Sequence, residues 1–413
     1  MNSRGRCGRR LAGAIAVLFL LAGAAGCASY ENFADAFLRG ELPDDVVRIG
    51  VFEPLSGRDG ASGEEELAGI ELAHSLRAEV IGKPVELVIA DNHSDIDEAF
   101  SAAQSLADRK VSVVLGSYRS TLSIAGGKVF EENGIPAIAV TNGNPLVTNT
   151  NDFYFRVRYV ESFQGVAVAK YAVEELGIAK AAVMREIDDN FSVAVSQAFA
   201  DKVVALTGNP DSIVYTADCA ADTANYGPEL TKIKEAGAEA VFLPTSVENG
   251  VAVVKQARKL GLDAVFLGTD LWHDASLLQA ADEDVLAGMA FSSDMGRQTV
   301  KNALSDAFTR AYAKEYGEEA EPSAAILLGF DAYMLALDAI ERAGTSVRTE
   351  RIRDELMRTR SFPGASGNIT FDENGDPIKS VPIAAVQDGA FVNIYTAEPN
   401  WGAPAAEQGD AYS

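Results

Sequence analysis

The chain has 413 residues, of which 47% are hydrophobic and 23% charged, so it can bury a core and is not expected to be disordered. Its length predicts about two to three domains. The formal net charge is −25, and removing the four arginines of the first 26 residues takes it to −29. Solubility alone accounts for such a charge, and because it repels nucleic-acid phosphates we expect no nucleic-acid partner.

The N-terminus has the pattern of a targeting segment. Arginines precede the apolar run Leu11–Ala25, and Ala24-Ala25-Gly26 stands directly before Cys27. The run is too short for a membrane-spanning helix and is typical of a signal peptide. Ala-Ala-Gly-Cys resembles a bacterial lipoprotein box, in which the Cys becomes the lipidated first residue, although Ala24 replaces the usual Leu. An ordinary signal peptide followed by an incidental Cys is the alternative.

The lipoprotein interpretation divides the N-terminal region into two parts. We expect residues 1–26 to be a lipoprotein signal peptide and residues 27–45 to be a tether that begins at lipidated Cys27. The protein would then be a membrane-anchored lipoprotein of the cell envelope, facing the periplasm or the cell exterior.

From Val46 onward, predicted strands alternate with predicted helices, which indicates an α/β protein with two doubly wound, mostly parallel sheets and flanking helices. The first series has strands at Val47–Phe52, Val85–Ala90, Val111–Gly116 and Ala137–Val140, and helices at Glu64–Ala78, Asp97–Arg109 and Ser120–Asn133.

A second series of strands and helices follows Phe153–Val160. Its strands are Ala181–Met184, Ile213–Thr216, Ala240–Leu243, Ala264–Leu267 and Met289–Ser292, and its helices are Phe163–Leu176, Ser192–Leu206, Pro228–Ala236 and Val247–Leu260. Helices are then predicted at Val300–Tyr316, Ser323–Ala343 and Thr349–Arg358, before a final β region of hairpin character with Gly389 at a turn.

The segment Val111–Ile124 is the first candidate for a binding site. Its strand ends at Gly116 and feeds a helix through a short polar turn that contains Ser120 and Thr121. Ligands of parallel α/β sheets bind beyond the carboxyl ends of the strands, where helix N-termini attract anions. Two hydroxyl groups at this place suit a carboxylate, whereas the alternative is that Ser120 only caps the helix.

The sequence has none of the common catalytic or metal motifs. We find no H-E-x-x-H, G-x-S-x-G, Walker A or G-x-G-x-x-G pattern in a suitable context. Asp372–Asp376 resembles the start of a calcium loop, but Pro377 stands where Gly is needed, so we interpret it as a turn. Cys219 is the one cysteine beyond Cys27, which excludes a disulfide framework. We therefore expect no metal, no cofactor and no enzymatic activity.

A series of short motifs then resembles a known family. Val47–Ala73 has a strand, then Pro-Leu-Ser-Gly, then a glycine-containing helix, as in the type I periplasmic binding proteins of the branched-chain amino acid transporter class. Further matches follow in the same order at Ala90-Asp91-Asn92, Gly116–Ser120, Asn144-Pro145, Phe155-Arg156-Val157, Gln164-Gly165, Leu230–Lys234, Gly268–Trp272, Gly329–Ala332 and Phe371–Gly375. The resemblance covers nearly all of Val46–Ala397.

The resemblance implies two lobes, three crossovers and a ligand held in the cleft between the lobes. Lobe 1 would comprise residues 46–159 plus 295–376, lobe 2 residues 160–294 plus 377–398, and residues 399–413 would be a tail. It further implies a substrate-binding protein of an ABC importer, with a transporter permease as its partner and an amino acid or similar small zwitterion as its ligand. An envelope lipoprotein that regulates a cell-wall synthase or a receptor through the same fold is the alternative.

The resemblance also assigns roles to individual residues. Ser120 and Thr121 match the positions that hold a ligand carboxylate, and Asp270 matches an acid that faces the ligand ammonium. The other matched positions are a backbone contact at Thr141, a residue at Phe191 that caps the ligand, and cleft walls at Tyr118 and Trp272. Core packing is the alternative for Phe191 and Trp272, and a helix N-cap is the alternative for Asp270.

Two positions depart from the family pattern. Gly143 stands where branched-chain amino acid binders often have a Thr hydroxyl, and Ser62 replaces an aromatic residue that often closes the pocket. Arg119 and Tyr118 lie beside the expected carboxylate site, although Arg119 is equally a candidate for a solvated loop residue. Our hypothesis is therefore a polar, aromatic or otherwise unbranched amino acid.

Overall fold

The computed structural model describes residues 45–220, 222–293, 301–318 and 320–398. The predicted signal peptide, lipidation site Cys27, nearly all of the tether, the 294/295 lobe boundary and the tail lie outside the described residues. Within these ranges, no helix combines the length and the apolar character that crossing a membrane requires.

The first half of the described chain builds a six-stranded sheet in the order β2-β3-β1-β4-β5-β6. The strands are β1 Val47–Glu53, β2 Glu79–Val80, β3 Lys83–Asp91, β4 Val113–Gly116, β5 Ala137–Ala139 and β6 Tyr154–Arg156. All of them pair in parallel except β2, which forms a short antiparallel edge with β3. Because β4 and β5 are apolar and buried along their whole length, both faces of this sheet are buried at its centre.

Helices cover the two faces of the six-stranded sheet. One face packs against Gly60–Leu76, Ala303–Tyr316, Ala324–Ala343 and Thr349–Met357, and the other packs against Ile96–Asp108 and Ser120–Glu132. A short helix at Leu146–Asn149 and a two-stranded ribbon, β12 Phe362–Gly364 with β13 Gly367–Ile369, complete this unit. Helices distant in the sequence thus build one core.

The second sheet has seven strands in the order β15-β14-β11-β10-β9-β7-β8. They are β7 Ala181–Glu186, β8 Ile213–Cys219, β9 Ala240–Phe242, β10 Val265–Gly268, β11 Met289–Ser292, β14 Val381–Gln387 and β15 Ala390–Ala397. Strands β7 to β11 pair in parallel, whereas β14 and β15 add an antiparallel hairpin at the edge of the sheet. Asp388 and Gly389 both have positive φ in its two-residue turn, which confirms the turn predicted at Gly389.

Helices flank this sheet on both sides as well. Gly227–Glu235, Val247–Lys259, Ala275–Ala280 and Glu283–Leu286 cover one face, and Ser162–Lys170, its π-helical continuation Tyr171–Glu175, and Asn190–Thr207 cover the other. Short 3₁₀ turns occur at Pro210–Ser212 and Asp270–Trp272. The predicted α/β class with two doubly wound, mostly parallel sheets is confirmed.

Contacts join the segments that connect the two sheets. The chain leaves the six-stranded sheet after β6, returns after β11 and leaves again before β14. The buried ammonium of Lys379 donates to the Val157 carbonyl at 3.2 Å and to the Ser366 hydroxyl at 2.6 Å. The Ser293 N–H donates to the Pro382 carbonyl at 2.9 Å. The connecting segments therefore lie side by side.

Candidate ligand-binding site

The residues that the sequence singles out lie at the carboxyl ends of both sheets. Tyr118, Ser120 and Thr121 follow β4, and Thr141 and Gly143 follow β5; Phe191 follows β7, and Asp270 and Trp272 follow β10. This edge of a parallel sheet is where ligands bind in open α/β proteins. The residues after β4 and β5 belong to the six-stranded sheet, and those after β7 and β10 belong to the seven-stranded sheet.

Neighbouring loops hold the turn after β4 in place. The buried Ser117 accepts a hydrogen bond on its hydroxyl from the Asn92 amide at 2.8 Å and one on its carbonyl from the Asn142 amide at 2.8 Å. Its own N–H donates to the Ser123 hydroxyl at 3.2 Å. The loops after β3, β4 and β5 are thus fixed to one another, which orients the start of the next helix.

Ser120 is the first residue of helix Ser120–Glu132 and does not cap it, so the alternative of a capping Ser is wrong. The cap position belongs to Arg119, which has a φ of 68° and makes no side-chain capping hydrogen bond. The Arg119 guanidinium instead donates to the buried carboxylate of Asp59 at 2.5 Å. The first N–H groups of a helix have no intrahelical acceptors, so this terminus can receive an anion. Ser120 is half-buried and Thr121 is exposed.

A pair of buried carboxyl groups, Glu53 and Glu66, lies beneath these loops. Glu53 ends β1, and its Oε2 accepts from the Tyr118 N–H at 2.7 Å. Burial raises the pKa of Glu53 well above the ordinary carboxyl range, and the neighbouring charge of Glu66 raises it further. Glu53 Oε1 and Glu66 Oε2 have no donor among the described residues. A protonated carboxyl group at Glu53 can donate to Glu66, which agrees with the raised pKa of Glu53.

Glu66 connects this pair to the loop after β5. Burial raises its pKa to about 7, against the lowering effect of hydrogen bonds from Glu53 and Thr141 and of the Arg158 charge. The Thr141 hydroxyl donates a short hydrogen bond to Glu66 Oε1. The side chain of Thr141 is therefore engaged below the loop, and its backbone carbonyl accepts from Arg158 at 3.1 Å.

Arg158 joins the two sheets through an ion pair with Asp270. Its Nη2 donates to Asp270 Oδ2, and the two side chains are only 12% and 16% exposed. The Asp270 N–H donates to Gln164 Oε1 at 3.1 Å, and the same oxygen accepts from the Ser292 hydroxyl at 2.7 Å. Asp270 is the first residue of its 3₁₀ turn and Thr269 precedes it as the cap, so the N-cap alternative for Asp270 is wrong.

The Glu161 side chain occupies the space that a side chain at Gly143 would need. A Cβ at this position would lie 2.1 Å from Cγ of Glu161 and 2.6 Å from its Oε1. The Glu161 N–H donates to the Gly143 carbonyl at 3.0 Å, which fixes the two residues in register. A larger residue in this loop after β5 would therefore have to displace the Glu161 side chain.

The two aromatic candidates of the seven-stranded sheet differ in exposure. Trp272 is fully buried, its indole N–H donates to the Thr245 carbonyl at 2.9 Å, and its ring fills space that a Cβ on Gly250 or Gly268 would occupy. Core packing describes Trp272, and the prediction that it forms a wall of the cleft is wrong. Phe191 is half-buried against an apolar cluster of the same sheet.

Sequence reasoning missed Glu53, Glu66, Arg158 and Gln164 as parts of this arrangement. Glu53 had a visible signal, because an acidic residue follows the uncharged run Ile49–Phe52 at the carboxyl end of its strand. Arg158 had a weaker one, since it follows β6, the last strand of the six-stranded sheet, by two residues. Glu66 sits among other acids in a helix, and nothing in that pattern distinguishes it from its exposed neighbours.

Metal-binding chemistry has no support in the part of the chain that the structure describes, where no group of three or more His, Cys, Asp or Glu side chains could hold an ion. The Asp372 carboxylate accepts from the N–H groups of Asn374 and Asp376, each at 2.9 Å, which agrees with the turn predicted there. Cys219 is a free thiol.

The periplasmic binding protein family matches residues 46–390 of this chain. The chain is 24% identical over 368 residues to the leucine-, isoleucine-, valine-, threonine- and alanine-binding protein of Pseudomonas aeruginosa, covering 87% of this chain and 92% of that protein. The chain therefore belongs to the periplasmic binding protein family, and the resemblance to its branched-chain amino acid transporter class is confirmed.

Solved structures agree with this assignment. The crystal structure of a leucine-binding protein from Thermotoga maritima is 33% identical, with a TM-score of 0.69, covering 86% of this chain and 99% of that one. The branched-chain amino acid transporter substrate-binding protein of Streptococcus pneumoniae, solved with isoleucine, is 25% identical with a TM-score of 0.67, covering 85% and 99%. The type I periplasmic binding protein fold is thereby confirmed.

Proposed function

We propose that this protein is the extracytoplasmic substrate-binding lipoprotein of an ABC importer and that it binds an amino acid or similar small zwitterion. The observation that carries the proposal is that a site for an anion and a site for a cation lie at the carboxyl ends of the two different sheets. An anion-attracting helix terminus at Ser120 lies on one sheet, and a carboxylate at Asp270 lies on the other. A zwitterion needs one site of each kind.

The relatives support an amino acid as the ligand, since their names refer to leucine, isoleucine, valine, threonine and alanine. Gly143 has no side-chain hydroxyl of the kind that branched-chain binders often use, and the Glu161 side chain occupies the space beside it. Ser62 is half-buried in its helix and offers little apolar surface. We therefore favour a polar, aromatic or otherwise unbranched amino acid over leucine, isoleucine and valine.

The proposal includes the two lobes, the anchor and the partner. Residues 46–159 with 295–376 form lobe 1, residues 160–294 with 377–398 form lobe 2, and the ligand occupies the cleft between them. Cys27 carries the lipid, and the closed, loaded protein docks on a transporter permease; the similarity to the transporter substrate-binding protein of Streptococcus pneumoniae supports this partner. The protein binds and releases its ligand without a chemical step.

A thermal-shift screen of the purified chain against the twenty L-amino acids tests this proposal. A ligand present at about 100 times its Kd adds ~2.7 kcal/mol to the free energy of unfolding, which raises the melting temperature by several degrees. We expect a small subset of amino acids to do so, with calorimetry giving their stoichiometry. A screen in which no amino acid raises the melting temperature would contradict the proposal.

A further inference from the structure

The buried acid pair Glu53 and Glu66 is bonded to both of the loops that follow β4 and β5. Glu53 Oε2 accepts from the Tyr118 N–H at 2.7 Å, and Glu66 Oε1 accepts from the Thr141 hydroxyl. Both carboxyl groups are fully buried. Because Tyr118 and Thr141 are candidate ligand contacts, the pair connects the position of one ligand loop to that of the other.

The number of protons on the pair determines which of its hydrogen bonds can form. Glu53 Oε1 and Glu66 Oε2 have no donor among the described residues, and a single proton on Glu53 can be donated to Glu66. A second proton has to sit on Glu66, where Oε1 already accepts from Thr141 and Oε2 is left for Glu53. With no proton, two buried carboxylates repel each other. A protonated Glu53 beside an ionised Glu66 is therefore the state that keeps all of these contacts.

One cation and one phenol act on the pair from the side of β6. Burial raises the pKa of Glu66 to about 7, and the charge of Arg158, two residues beyond β6, acts in the opposite direction. Tyr154 of β6 donates to the Gly116 carbonyl at 2.5 Å, and burial, followed by the charges of the two acids, raises its pKa, so it stays neutral. Acids on other elements packed nearby bond elsewhere: Asp59 pairs with Arg119, Asp91 accepts from the Leu55 N–H, and Asp331 accepts from the N–H groups of Ala365 and Ser366.

From these contacts we infer that Glu66 has to be ionised for the loops after β4 and β5 to bind the ligand, so that binding is tight above neutral pH and weak in acid. When Glu66 takes up a proton, either Thr141 or Glu53 loses its acceptor, and the loop bonded to it is released. Glu53 and Glu66 are thus positioning residues that make ligand binding depend on pH. The inference rests on the proposed function, because it describes the regulation of that same site.

The size of the effect follows from the titration of Glu66. Where only the ionised form binds, the apparent Kd rises by about tenfold between about pH 7.5 and pH 6, because the competent fraction of the protein falls by that factor. By linkage, the ligand in turn lowers the pKa of Glu66, so binding at about pH 7 releases roughly half a proton to the buffer.

Isothermal titration calorimetry of the full chain between about pH 5.5 and pH 8 tests the inference. The probe is the amino acid that gives the largest thermal shift, with histidine and cysteine left out because their side chains titrate in or near this range. Measurements in two buffers of different ionisation enthalpy count the protons released. We expect the affinity to fall by about tenfold in acid, while the melting temperature at each pH shows that the chain stays folded.

Two variants that differ only at position 66 assign the effect to one carboxyl group. Glu53→Gln keeps a donor beside Glu66, so its affinity for the probe should still weaken in acid. The double variant Glu53→Gln, Glu66→Gln has neither carboxyl, so its affinity should not depend on pH and binding should release no proton. Both variants keep every histidine of the chain, so a pH dependence that arises from a histidine would persist in both.

Glu79→Gln, at an exposed position of β2, is the control and should follow the wild type at every pH. A wild-type affinity that does not change with pH, or a pH dependence that persists in the double variant, would overturn the inference and leave the proposed function intact. Should the double variant fail to fold, the wild type decides, and binding without proton release at about pH 7 overturns the inference. If no amino acid binds at any pH, the proposed function fails as well.

Discussion

Glu53 and Glu66 form a carboxyl–carboxyl contact inside the protein, where both groups are fully buried. The Tyr118 N–H is bonded to the first and the Thr141 hydroxyl to the second. Tyr118 and Thr141 belong to two of the loops in the candidate site. The protonation of the acid pair is therefore coupled to the positions of both loops.

The first prediction concerns the pH dependence of stability. Burial raises the pKa of Glu66 to about 7, from an ordinary value of 4.5. Below pH 4.5 the folded and unfolded chains both hold this proton, and the stabilising contribution is fully present. As the pH rises towards 7, the unfolded chain releases the proton and the folded chain keeps it, so the free energy of unfolding falls.

Glu66→Gln isolates this contribution, because Gln keeps the shape of the protonated carboxyl and does not ionise. The variant should gain up to about 3 kcal/mol on the wild type between about pH 4.5 and pH 8, as measured by urea unfolding. Glu79→Gln, at an exposed position on the edge strand, is the matched control and should show a constant difference. A constant difference for Glu66→Gln too would mean that burial does not raise the pKa of Glu66.

The second prediction concerns the buried ion pair between Arg156 and Asp376. Arg156 Nε lies 2.6 Å from Asp376 Oδ1, and the two side chains are 0% and 6% exposed. Asp376→Ala should lower the free energy of unfolding by about 3–5 kcal/mol, because it leaves the guanidinium buried without an anion. Burial and the nearby Asp372 charge raise the pKa of Asp376, and the Arg156 charge lowers it.

An exposed pair provides the comparison for this variant. Arg358 is bonded to Glu355 and is 70% exposed, so Arg358→Ala should cost less than about 1 kcal/mol in the same denaturant titration. Similar costs for the two substitutions would show that burial does not govern the strength of the Arg156 pair.

A third prediction follows from the contact between Gly143 and Glu161. Gly143→Thr restores the residue type of the family pattern but places its Cβ against Glu161 Cγ, so it should destabilise the chain by about 1–3 kcal/mol. Glu161→Ala in the same chain removes the obstacle and should recover most of this loss. A double-mutant cycle in urea measures the coupling, and simple additivity of the two changes would disprove the steric explanation.

The fourth prediction concerns the anchor and rests on Ala24-Ala25-Gly26-Cys27. The mature chain should begin at Cys27 and sediment with membranes when it is expressed in a bacterial host. Cys27→Ser should appear in the soluble fraction or retain its signal peptide, which fractionation and N-terminal mass spectrometry distinguish. Wild-type protein that is soluble and begins after Cys27 would contradict lipidation.

The architecture was predictable because long apolar strands and helical periodicity leave few alternatives. Val113–Gly116 and the helix that starts at Ser120 fall within two residues of their predicted limits. Short elements such as Glu79–Val80 and Leu146–Asn149 escaped prediction, since two to four residues are too few to establish a period.

The candidate site was predictable only where a residue's position in the chain determines its position in the fold. Ser120, Thr141 and Asp270 each follow a strand directly, so the sequence places them at the sheet edges. The partner of Asp270 was not predictable, because Arg158 precedes it by 112 residues and belongs to a different sheet. Trp272 was misassigned since the sequence does not show that Gly250 and Gly268 make space for its indole.

The burial of Trp272 also gives this protein a natural optical probe. The chain has two tryptophans, and the other, Trp401, lies outside the described residues. In a Trp401→Phe chain, all indole fluorescence would come from the interior of the seven-stranded sheet, two residues away from Asp270. An indole shielded from water emits at short wavelength and is poorly quenched by acrylamide. The fluorescence of Trp272 would therefore report on the seven-stranded sheet alone, without an indole signal from the six-stranded sheet.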